Sequence, residues 1–241
     1  MDFLNAIILI SNFIIVPAIT YGSQLALGAI GVTLIYGVLR FANFAYGDLM
    51  AFATMIVILT TWYLQSIGIS LGFLPTALLA LPIGILVTIG ISLFFDKTVF
   101  EYYRNKKANS VTFIVVSLGL MFVLNAIVRI IIGPGNVNFM DGHKFIMKAR
   151  EFKDLTGLNE GLAIKSTQVI TLITTIITCS LLFYFLNKTK TGKSMRAYSD
   201  NEDLALLSGI DPKKIILITW VIVSILATVG GTLYGLDKSF K

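Results

Sequence analysis

Charged residues are scarce in this sequence, and so are the side chains that most enzymes use for chemistry. Asp, Glu, Lys and Arg make up 13% of the 241 residues, whereas hydrophobic residues make up 56%. Soluble domains carry about a quarter charged residues, so this composition indicates an integral membrane protein. The chain has one cysteine, Cys179, and one histidine, His143. A disulfide framework and a Cys or His metal cluster are therefore excluded, and we expect no catalytic residue, no metal site and no cofactor.

Long uncharged runs predict an all-α fold, namely a polytopic bundle of transmembrane helices. A helix needs about 20 apolar residues to cross the hydrocarbon core of a bilayer. The uncharged stretch 49–95 has room for two spans that meet near residues 66–71. Single spans are predicted at about 110–132, 167–187 and 215–236.

The first uncharged stretch, 3–39, is harder to divide into spans. Pro17 and the sequence Tyr21-Gly22-Ser23 interrupt it, and its length barely admits two full crossings. We expect two crossings here, of which one is short, tilted or re-entrant. The sequence thus predicts about seven apolar segments in a single transmembrane domain that covers residues 1–241.

The positions of lysine and arginine predict which loops face the cytoplasm, where these residues concentrate. The loops at about 96–109 and 188–214 are rich in basic residues and two spans separate them, so both are placed inside. The loop 133–166 is more dilute in basic charge and is placed outside, where it is long enough to hold a small helix. The formal net charge of +6 is therefore assigned to contact with the lipid bilayer rather than with nucleic acid.

A polar segment at about 192–213 carries strong signals for a short cytoplasmic helix. Its sequence SDNE at 199–202 fits the capping box S-x-x-E, and the acidic residues at 200, 202 and 203 suit the positive end of a helix dipole. Gly209 supplies the left-handed residue that commonly ends a helix, so a helix is predicted over about 200–208. Asp211 then caps the next span.

Leu204, Leu207 and Ile210 give this predicted helix an apolar edge. A helix this short is not stable alone in water, so the edge has to pack against something. Two interpretations are open. The edge packs against the protein's own cytoplasmic surface or the headgroups, or it docks into the groove of a cytosolic partner.

Two stretches of the sequence resemble a known family. They are LALGAIGVTLIYGVLRFANFAYGDLMAFATM at 25–55 and GKSMRAYSDNEDLALLSGIDPKKIILITWVIVSILATVGGTLYG at 192–235. Together they resemble the inner-membrane permeases of branched-chain amino acid ABC importers, of the LivH type. The resemblance covers nearly the whole chain in order.

The resemblance implies that the segment 192–213 couples the permease to a cytoplasmic ABC ATPase. The residues it implies for this role are Ser199, Asp200, Glu202, Leu204, Leu207 and Gly209. It also implies a second permease subunit and a periplasmic substrate-binding protein, which the outer loop is expected to meet. Members of the family continue past the position of Gly235 with further spans, so we expect this chain to be C-terminally truncated.

Polar residues beside or within the apolar runs are the candidates for a substrate path. Asn43, Tyr46 and Asp48 match an NFAHGD-like signature of the family, except that Tyr46 stands where histidine is usual. Polar groups are costly at membrane depth, so these side chains are expected to face a cavity or a partner, although composition alone favours a plain cytoplasmic turn. Asn125 and Arg129 share a helix face one turn apart. They line the outer mouth of the path or, in the simpler interpretation, Arg129 reaches the headgroups.

Ala227, Gly231 and Gly235 form a small-xxx-small face on the last span. Small residues at this spacing let two helix backbones approach closely in a membrane. We therefore expect this face to serve packing rather than chemistry.

Three classes of protein fit a bundle of this kind. An enzyme needs clustered nucleophiles, bases or metal ligands, and the sequence offers none. A secondary transporter of a small polar solute usually carries ionisable groups within its spans, and here only Asp48 qualifies.

Gly192-Lys193-Ser194 resembles the end of a P-loop, but Asn187 stands where the first glycine of that motif would be. Any ATP hydrolysis is therefore expected to belong to a partner. The favoured function is the permease subunit of an inner-membrane ABC importer of amino acids, branched-chain ones by resemblance, and the alternative is a secondary transporter.

Overall fold

The computed structural model describes residues 2–135, 137–139, 142–157 and 160–238. Its helices are, in chain order, α1 (Asp2–Ile10), α2 (Val16–Leu39), α3 (Ala45–Ser66), α4 (Ala77–Phe95), α5 (Glu101–Asn105), α6 (Ser110–Ile132), α7 (Ala149–Thr156), α8 (Ser166–Lys188), α9 (Lys190–Asp200), α10 (Glu202–Leu207) and α11 (Pro212–Asp237). Two π-helical turns, Ser11–Ile15 and Asp96–Phe100, join α1 to α2 and α4 to α5. Within the described ranges the strands β1 (Phe145–Met147) and β2 (Ile164–Lys165) form the one sheet, an antiparallel pair. The fold is all-α, as the sequence predicts.

Six helical segments of the described chain are long and apolar enough to cross a membrane. They are Phe3–Leu39, Ala45–Ser66, Ala77–Asn105, Ser110–Ile132, Ser166–Lys188 and Pro212–Asp237. The spans predicted at 110–132, 167–187 and 215–236 match three of these segments, and the uncharged stretch 49–95 divides into two, as predicted. The expected total of seven is wrong, because the stretch 3–39 forms one continuous helix instead of two crossings.

This first span, Phe3–Leu39, is continuous because nothing in its sequence forces a turn. Pro17 lies just after the π-helical turn Ser11–Ile15, and such a local adjustment lets a membrane helix tolerate the N–H that proline lacks. A membrane helix satisfies its backbone groups internally, and a turn at 21–23 would leave some of them unpaired in lipid. At 1.5 Å per residue the 37 residues extend about 55 Å, more than the hydrocarbon core of about 30 Å. The first span therefore tilts in the bilayer or extends beyond its core.

Amide side chains in the N-terminal part of the first span hold the end of the loop 133–166, which the sequence predicts to be the outer loop. The Nδ2 of Asn12 donates to the Gly161 carbonyl at 3.2 Å, and its Oδ1 accepts from the Ala163 N–H at 3.2 Å. The Oδ1 of Asn5 accepts from the Glu160 N–H at 3.4 Å. The beginning of the described chain thus lies on the same side as the loop 133–166.

The outer loop itself packs onto the bundle. It contains α7 and both strands, so the predicted small outer helix is present. Residues 136, 140–141 and 158–159 of this loop lie outside the described residues. The His143 N–H donates to the Phe73 carbonyl at 3.0 Å, and a β-carbon on Gly142 would lie 2.7 Å from the Pro75 nitrogen. Part of the loop is therefore fastened to the turn between the second and third spans.

Helix α11 lies at the centre of the bundle. It packs against α2, α3 and α4, while α6 packs on α3 at one edge and α8 packs on α2 at another. Successive spans alternate in direction, so the turns 40–44 and 106–109 and the segment 189–211 meet at one end of the bundle, which the sequence predicts to be the cytoplasmic end. An ion pair 3.9 Å long joins Lys213, near the start of α11, to Glu101, the first residue of α5, at the same end of the bundle.

Small residues allow α11 to approach α3 closely. A β-carbon on Gly231 would lie 2.7 Å from the Met50 carbonyl oxygen, and one on Gly235 would lie 3.1 Å from the Thr54 methyl group. Ala227 is fully buried. The three residues of the small-xxx-small face therefore lie in the interior, where a larger side chain would have to displace α3.

Candidate functional site

Helices α9 and α10 form the segment between the last two spans that the sequence predicts to be cytoplasmic. Asn201 interrupts the helix with φ −149°, and its Oδ1 accepts from the Leu204 N–H at 3.1 Å, so Asn201 is the N-cap of α10. The predicted capping role of Ser199 is wrong, because Ser199 lies inside α9. The helix expected over 200–208 is α10 alone, Glu202–Leu207. Asparagine caps as well as serine does, and only Asn201 directly precedes the acidic first turn.

The acidic residues divide between the two helices. Glu202 and Asp203 lie in the first turn of α10, where the helix dipole favours negative charge. Asp200 was expected there too, but it is the last residue of α9 and so lies at the negative end of that helix. Glu202 also accepts a hydrogen bond of 2.7 Å from the Tyr198 hydroxyl. Burial and this hydrogen bond raise the pKa of Tyr198, so its hydroxyl stays protonated and ties α9 to α10.

The apolar edge of α10 divides into an inward and an outward part. Ala205 is 3% exposed, and Ile210 packs against the same buried cluster. Leu204 and Leu207, by contrast, are 60% and 85% exposed. The protein's own surface therefore covers Ile210 but leaves Leu204 and Leu207 uncovered.

Gly209 and Asp211 set the path from α10 into the last span, as predicted. Gly209 has φ +79° and closes a Schellman turn onto the carbonyls of Ala205 and Leu206. The Oδ1 of Asp211 accepts from the Lys213 N–H at 2.9 Å and caps α11. Two residues thus separate the end of this turn from the first helical residue of the span.

Two contacts fasten this segment to the inner end of the first span. The Ser199 hydroxyl donates to the Gly37 carbonyl at 2.9 Å, and the Arg40 guanidinium donates to the Ser199 carbonyl. Arg40 is the C-cap of α2 in the left-handed conformation, with φ +61°. A displacement of α9 would therefore act directly on the first span.

The turn between the first and second spans is recessed into the bundle. The Phe44 N–H donates to the Ser117 hydroxyl at 3.1 Å, and Ser117 follows the first residue of α6, Ser110, by seven positions. At 1.5 Å per residue, α3 therefore begins about 10 Å deeper than α6. Asn43 is 9% exposed, and its Oδ1 accepts from the Ala45 N–H at 3.0 Å. This is not a plain turn at the surface.

Asp48 and Asn125 form a hydrogen-bonded pair between α3 and α6. The Nδ2 of Asn125 donates to the Oδ1 of Asp48 at 2.8 Å, and both side chains are half-buried. Asp48 lies in the first turn of α3, where the helix dipole stabilises negative charge. Among the described residues no cation forms an ion pair with it. The fold thus joins two of the predicted path residues, whereas Arg129 lies one turn further out and is exposed.

Tyr46 faces the first span instead of the Asp48–Asn125 pair. Its side chain is 2% exposed, and its hydroxyl has no hydrogen-bond partner among the described residues. The ring lies against Gly31 of α2, where a β-carbon would overlap the hydroxyl oxygen. In this arrangement Tyr46 packs two spans together.

A basic cavity beside the cytoplasmic segment was missed by sequence reasoning. It has a volume of about 330 Å³, and its polar lining consists of Arg40, Arg104, Lys107, Tyr198 and Glu202. These side chains come from separate helices and turns, so no local pattern groups them. Two of these residues, Arg40 and Lys107, have a left-handed backbone conformation, which the sequence does not indicate either.

Comparison with known proteins identifies relatives along most of the chain. The family described as "Branched-chain amino acid transport system / permease component" matches residues 14–240. The high-affinity branched-chain amino acid transport system permease protein LivH of Escherichia coli (strain K12) is 26% identical over 222 residues, which are 90% of this chain and 68% of that protein. The corresponding protein BraD of Pseudomonas aeruginosa is 25% identical over 234 residues, which are 92% of this chain and 70% of that protein. No solved structure matches the chain.

Proposed function

This chain belongs to the family of permease components of branched-chain amino acid transport systems, and we propose that it is the membrane subunit of an ABC importer for such amino acids in a bacterial inner membrane. In this proposal the chain breaks no bonds, and cytosolic ABC ATPases hydrolyse ATP. A second permease subunit completes the pore. A periplasmic binding protein delivers the amino acid to the outer loop, 133–166.

The exposed leucine pair on α10 carries the proposal. Leu204 and Leu207 project from a helix that is capped at both ends. The preceding helix, α9, is fastened to the first span, and the turn at Gly209 leads from α10 into the last span. Covering a leucine side chain completely stabilises a protein by about 1.5–3 kcal/mol. Since the chain itself covers Ala205 and Ile210 but not this pair, a groove on a partner is the natural cover.

We therefore propose that the segment 192–213 is the coupling segment and that α10 seats in a cleft of the ATPase. Leu204 and Leu207 enter the cleft. Ser199 and Glu202 act behind them, because their contacts with Gly37 and Tyr198 hold the segment together. Movement of the ATPase would then reach the first span through α9 and the last span through Gly209.

Co-purification from cell membranes that contain the partner ATPase tests this role. We expect Leu204→Asp to lose at least about tenfold of the ATPase recovered with the unchanged chain, because burying an unpaired carboxylate in an apolar groove is costly. Leu206→Asp is the matched control. Leu206 is 42% exposed but lies about 160° around the helix from Leu204, so this variant should retain most of the ATPase.

The coupling role would be contradicted if Leu204→Asp and Leu206→Asp recovered equal amounts of the ATPase while both variants were present in the membrane at the normal level. Recovery of no ATPase even with the unchanged chain, together with amino acid uptake that persists when ATP is depleted, would instead favour a secondary transporter.

We further propose that the Asp48–Asn125 pair faces the solute path. A carboxylate within the spans is costly unless a cation meets it, and the ammonium group of an amino acid is such a cation. Arg129 lies about 6 Å further along α6 and offers a partner for the carboxylate of the same solute. The second permease subunit would close the open side of this pair.

Uptake of labelled leucine by the assembled importer tests this path. Asp48→Asn keeps the shape of the side chain but removes its charge, so we expect KM to rise at least about tenfold, as for a lost charge-assisted hydrogen bond. Lys97→Gln, which removes an exposed charge outside both the path and the segment 192–213, is the control. An unchanged KM in Asp48→Asn, with normal ATPase recovery, would remove Asp48 from the path and leave the coupling role untouched.

A further inference from the structure

The basic cavity lies where several parts of the protein meet beside α9 and α10. Its polar lining comes from the inner end of the first span (Arg40), from α5 and the turn after it (Arg104 and Lys107), and from α9 and α10 (Tyr198 and Glu202). Helices α6 and α11 add apolar side chains to the lining. With about 330 Å³, it is about ten times the volume that a water molecule occupies in the liquid. The cavity is thus large enough for a small ligand or a headgroup.

Two of the basic residues have an uncommon backbone conformation. Arg40 and Lys107 have φ +61° and +51°, and they are the only non-glycine residues with positive φ in the part of the chain that the structure describes. Lys107 closes a Schellman turn onto the carbonyls of Tyr103 and Arg104, in the position where glycine is usual and where the turn after α10 has Gly209. Such conformations are costly for side-chain-bearing residues and concentrate at binding sites. The lysine at this position therefore indicates that its side chain has a use.

Some of the charges around the cavity are already paired. Arg104 binds Asp96 through two hydrogen bonds of 3.1 and 3.2 Å. Glu202 accepts from the Tyr198 hydroxyl, which is a neutral partner. The two carboxylates therefore have partners within the protein.

The other two cations have no anionic partner. Lys107 forms no ion pair within the described residues, and the Arg40 guanidinium donates to the carbonyl of Ser199, which is neutral. Arg40, Arg104 and Lys107 make three positive charges, and Asp96 and Glu202 make two negative charges, so one positive charge is left over. An anion of one charge would balance the cavity.

We propose that this cavity binds a phosphate group through Lys107, Arg40 and Arg104. Lysine and arginine are the usual phosphate ligands, since their N–H groups form charge-assisted hydrogen bonds to phosphate oxygens. A phosphodiester carries one negative charge, which matches the charge left over. Anionic phospholipids present this group at the cytoplasmic ends of spans, where basic pockets between helices bind headgroups. A soluble phosphate shares the chemistry, so the experiment distinguishes the two sources.

A bound phosphate would add a polar link between parts of the protein that otherwise meet through the rings of Phe41, Phe100 and Phe113. It would link the inner end of the first span to the turn after α5, directly behind Tyr198 and Glu202. The position of α9 and α10 would then depend on the lipid or phosphate at their back. This inference stands apart from the proposed function, because it needs no ATPase.

Native mass spectrometry of the purified full chain tests the site, with phosphatidylglycerol titrated against a phosphatidylcholine background. We expect the unchanged chain to bind phosphatidylglycerol preferentially and Lys107→Gly to bind it about tenfold more weakly, as for the loss of a charge-assisted hydrogen bond. Glycine suits φ +51°, so Lys107→Gly should melt at the same temperature as the unchanged chain or higher. Weaker binding in a chain that is at least as stable cannot result from misfolding.

Two further variants separate this site from general attraction between basic residues and anionic lipid. Lys107→Arg keeps the charge and should retain binding. Lys193→Gln removes an exposed lysine of α9 that lies outside the cavity, and it should bind phosphatidylglycerol like the unchanged chain.

Inorganic phosphate and ATP identify the source of the group. If neither competes with phosphatidylglycerol, the ligand is the lipid headgroup, and if millimolar phosphate displaces it or raises the melting temperature of the unchanged chain but not of Lys107→Gly, a soluble phosphate occupies the cavity. Equal lipid binding by the unchanged chain and Lys107→Gly, with no phosphate effect, would overturn the proposal. Loss of a protein partner from Lys107→Gly without any change in lipid or phosphate binding would also overturn it and assign the cavity to an acidic side chain of that partner.

Discussion

The first span and α11 are both strongly apolar, yet their surroundings are opposite. In the most apolar window of the first span 6% of the residues are buried, against 72% in α11. The first span exposes large side chains such as Phe3 and Phe13 along its outer part. Helix α11 carries Gly231 and Gly235 at its contact with α3.

Side-chain size, rather than hydropathy, therefore selects the central helix. Lipid tails are as apolar as leucine, so hydropathy favours insertion of a helix into the bilayer but does not determine which helix it contacts. The first span has a part that packs against other helices and a part that does not. Its inner part buries Gln24, Leu27, Gly31 and Ile35, which recur every three or four residues on one face, while its outer part packs against little.

The largest expected effect comes from adding the same methyl group to each of the two helices. We expect Gly231→Ala to destabilise the protein by about 1–3 kcal/mol, because the added methyl group meets the Met50 backbone. Gly22→Ala on the first span meets nothing within 4 Å and should be neutral or stabilise the helix by about 0.5–1 kcal/mol. Thermal melting followed by the fluorescence of buried Trp220 measures both. Equal melting temperatures would show that close packing does not distinguish the two helices.

A smaller effect is expected where the first span uses hydrogen bonds in place of packing. Asn12→Leu removes both hydrogen bonds to the outer loop, which are together worth about 1–3 kcal/mol locally. Hydrogen exchange at 160–163 should accelerate, with little change in the melting temperature. Phe13→Leu is the control, since Phe13 is 73% exposed. Unchanged exchange in Asn12→Leu would mean that the loop is held by other contacts.

The next effect compares one hydroxyl in each helix. Ser224 bonds Ser92 across the interface with α4 at 2.7 Å, whereas the Ser23 hydroxyl bonds only the Ile19 carbonyl of its own helix. We expect Ser224→Ala to cost about 1 kcal/mol and Ser23→Ala to cost less than about 0.5 kcal/mol. Melting temperatures of the pair provide the measurement. A larger loss in Ser23→Ala would reverse the ranking.

The smallest effect concerns the inner part of the first span. The Tyr46 hydroxyl is buried against Gly31 without a partner in the described chain, so Tyr46→Phe removes a polar group that gains nothing from burial. We expect melting to be unchanged or to rise by the equivalent of about 0.5 kcal/mol. A clear drop in the melting temperature would reveal that the hydroxyl bonds a group that only the membrane or a partner supplies.

The spans after the first were predictable from the sequence because charge and length bound them directly. A helix of about 20 uncharged residues has few alternatives in lipid, so 110–132 could be read almost to the residue. The first stretch failed because Pro17 and Gly22 signal a break in water but are tolerated in a membrane helix. That the first span begins on the same side as the loop 133–166 follows from the contacts of Asn12 with Gly161 and Ala163, which lie far from it in the chain.

The candidate site was predictable only where its signals are local. Gly209 and Asp211 act as their positions in the sequence predict, because a turn depends on its own residues. Ser199 and Asn201 are both good caps two residues apart, and propensity alone does not rank them. Asp48 and Asn125 are 77 residues apart, so their contact depends on how α3 and α6 pack. A single sequence holds no such information.

The recessed start of α3 changes the barrier that a polar solute faces. Moving a dipolar or charged group through low-dielectric material costs free energy over the thickness of that material. Where α6 begins at the edge of a core of about 30 Å, the turn at 40–44, about 10 Å further in, leaves a solute that reaches it about 20 Å to cross. The fold thereby places the amide of Asn43 close to the start of α3, which carries Asp48, without any helix having to move.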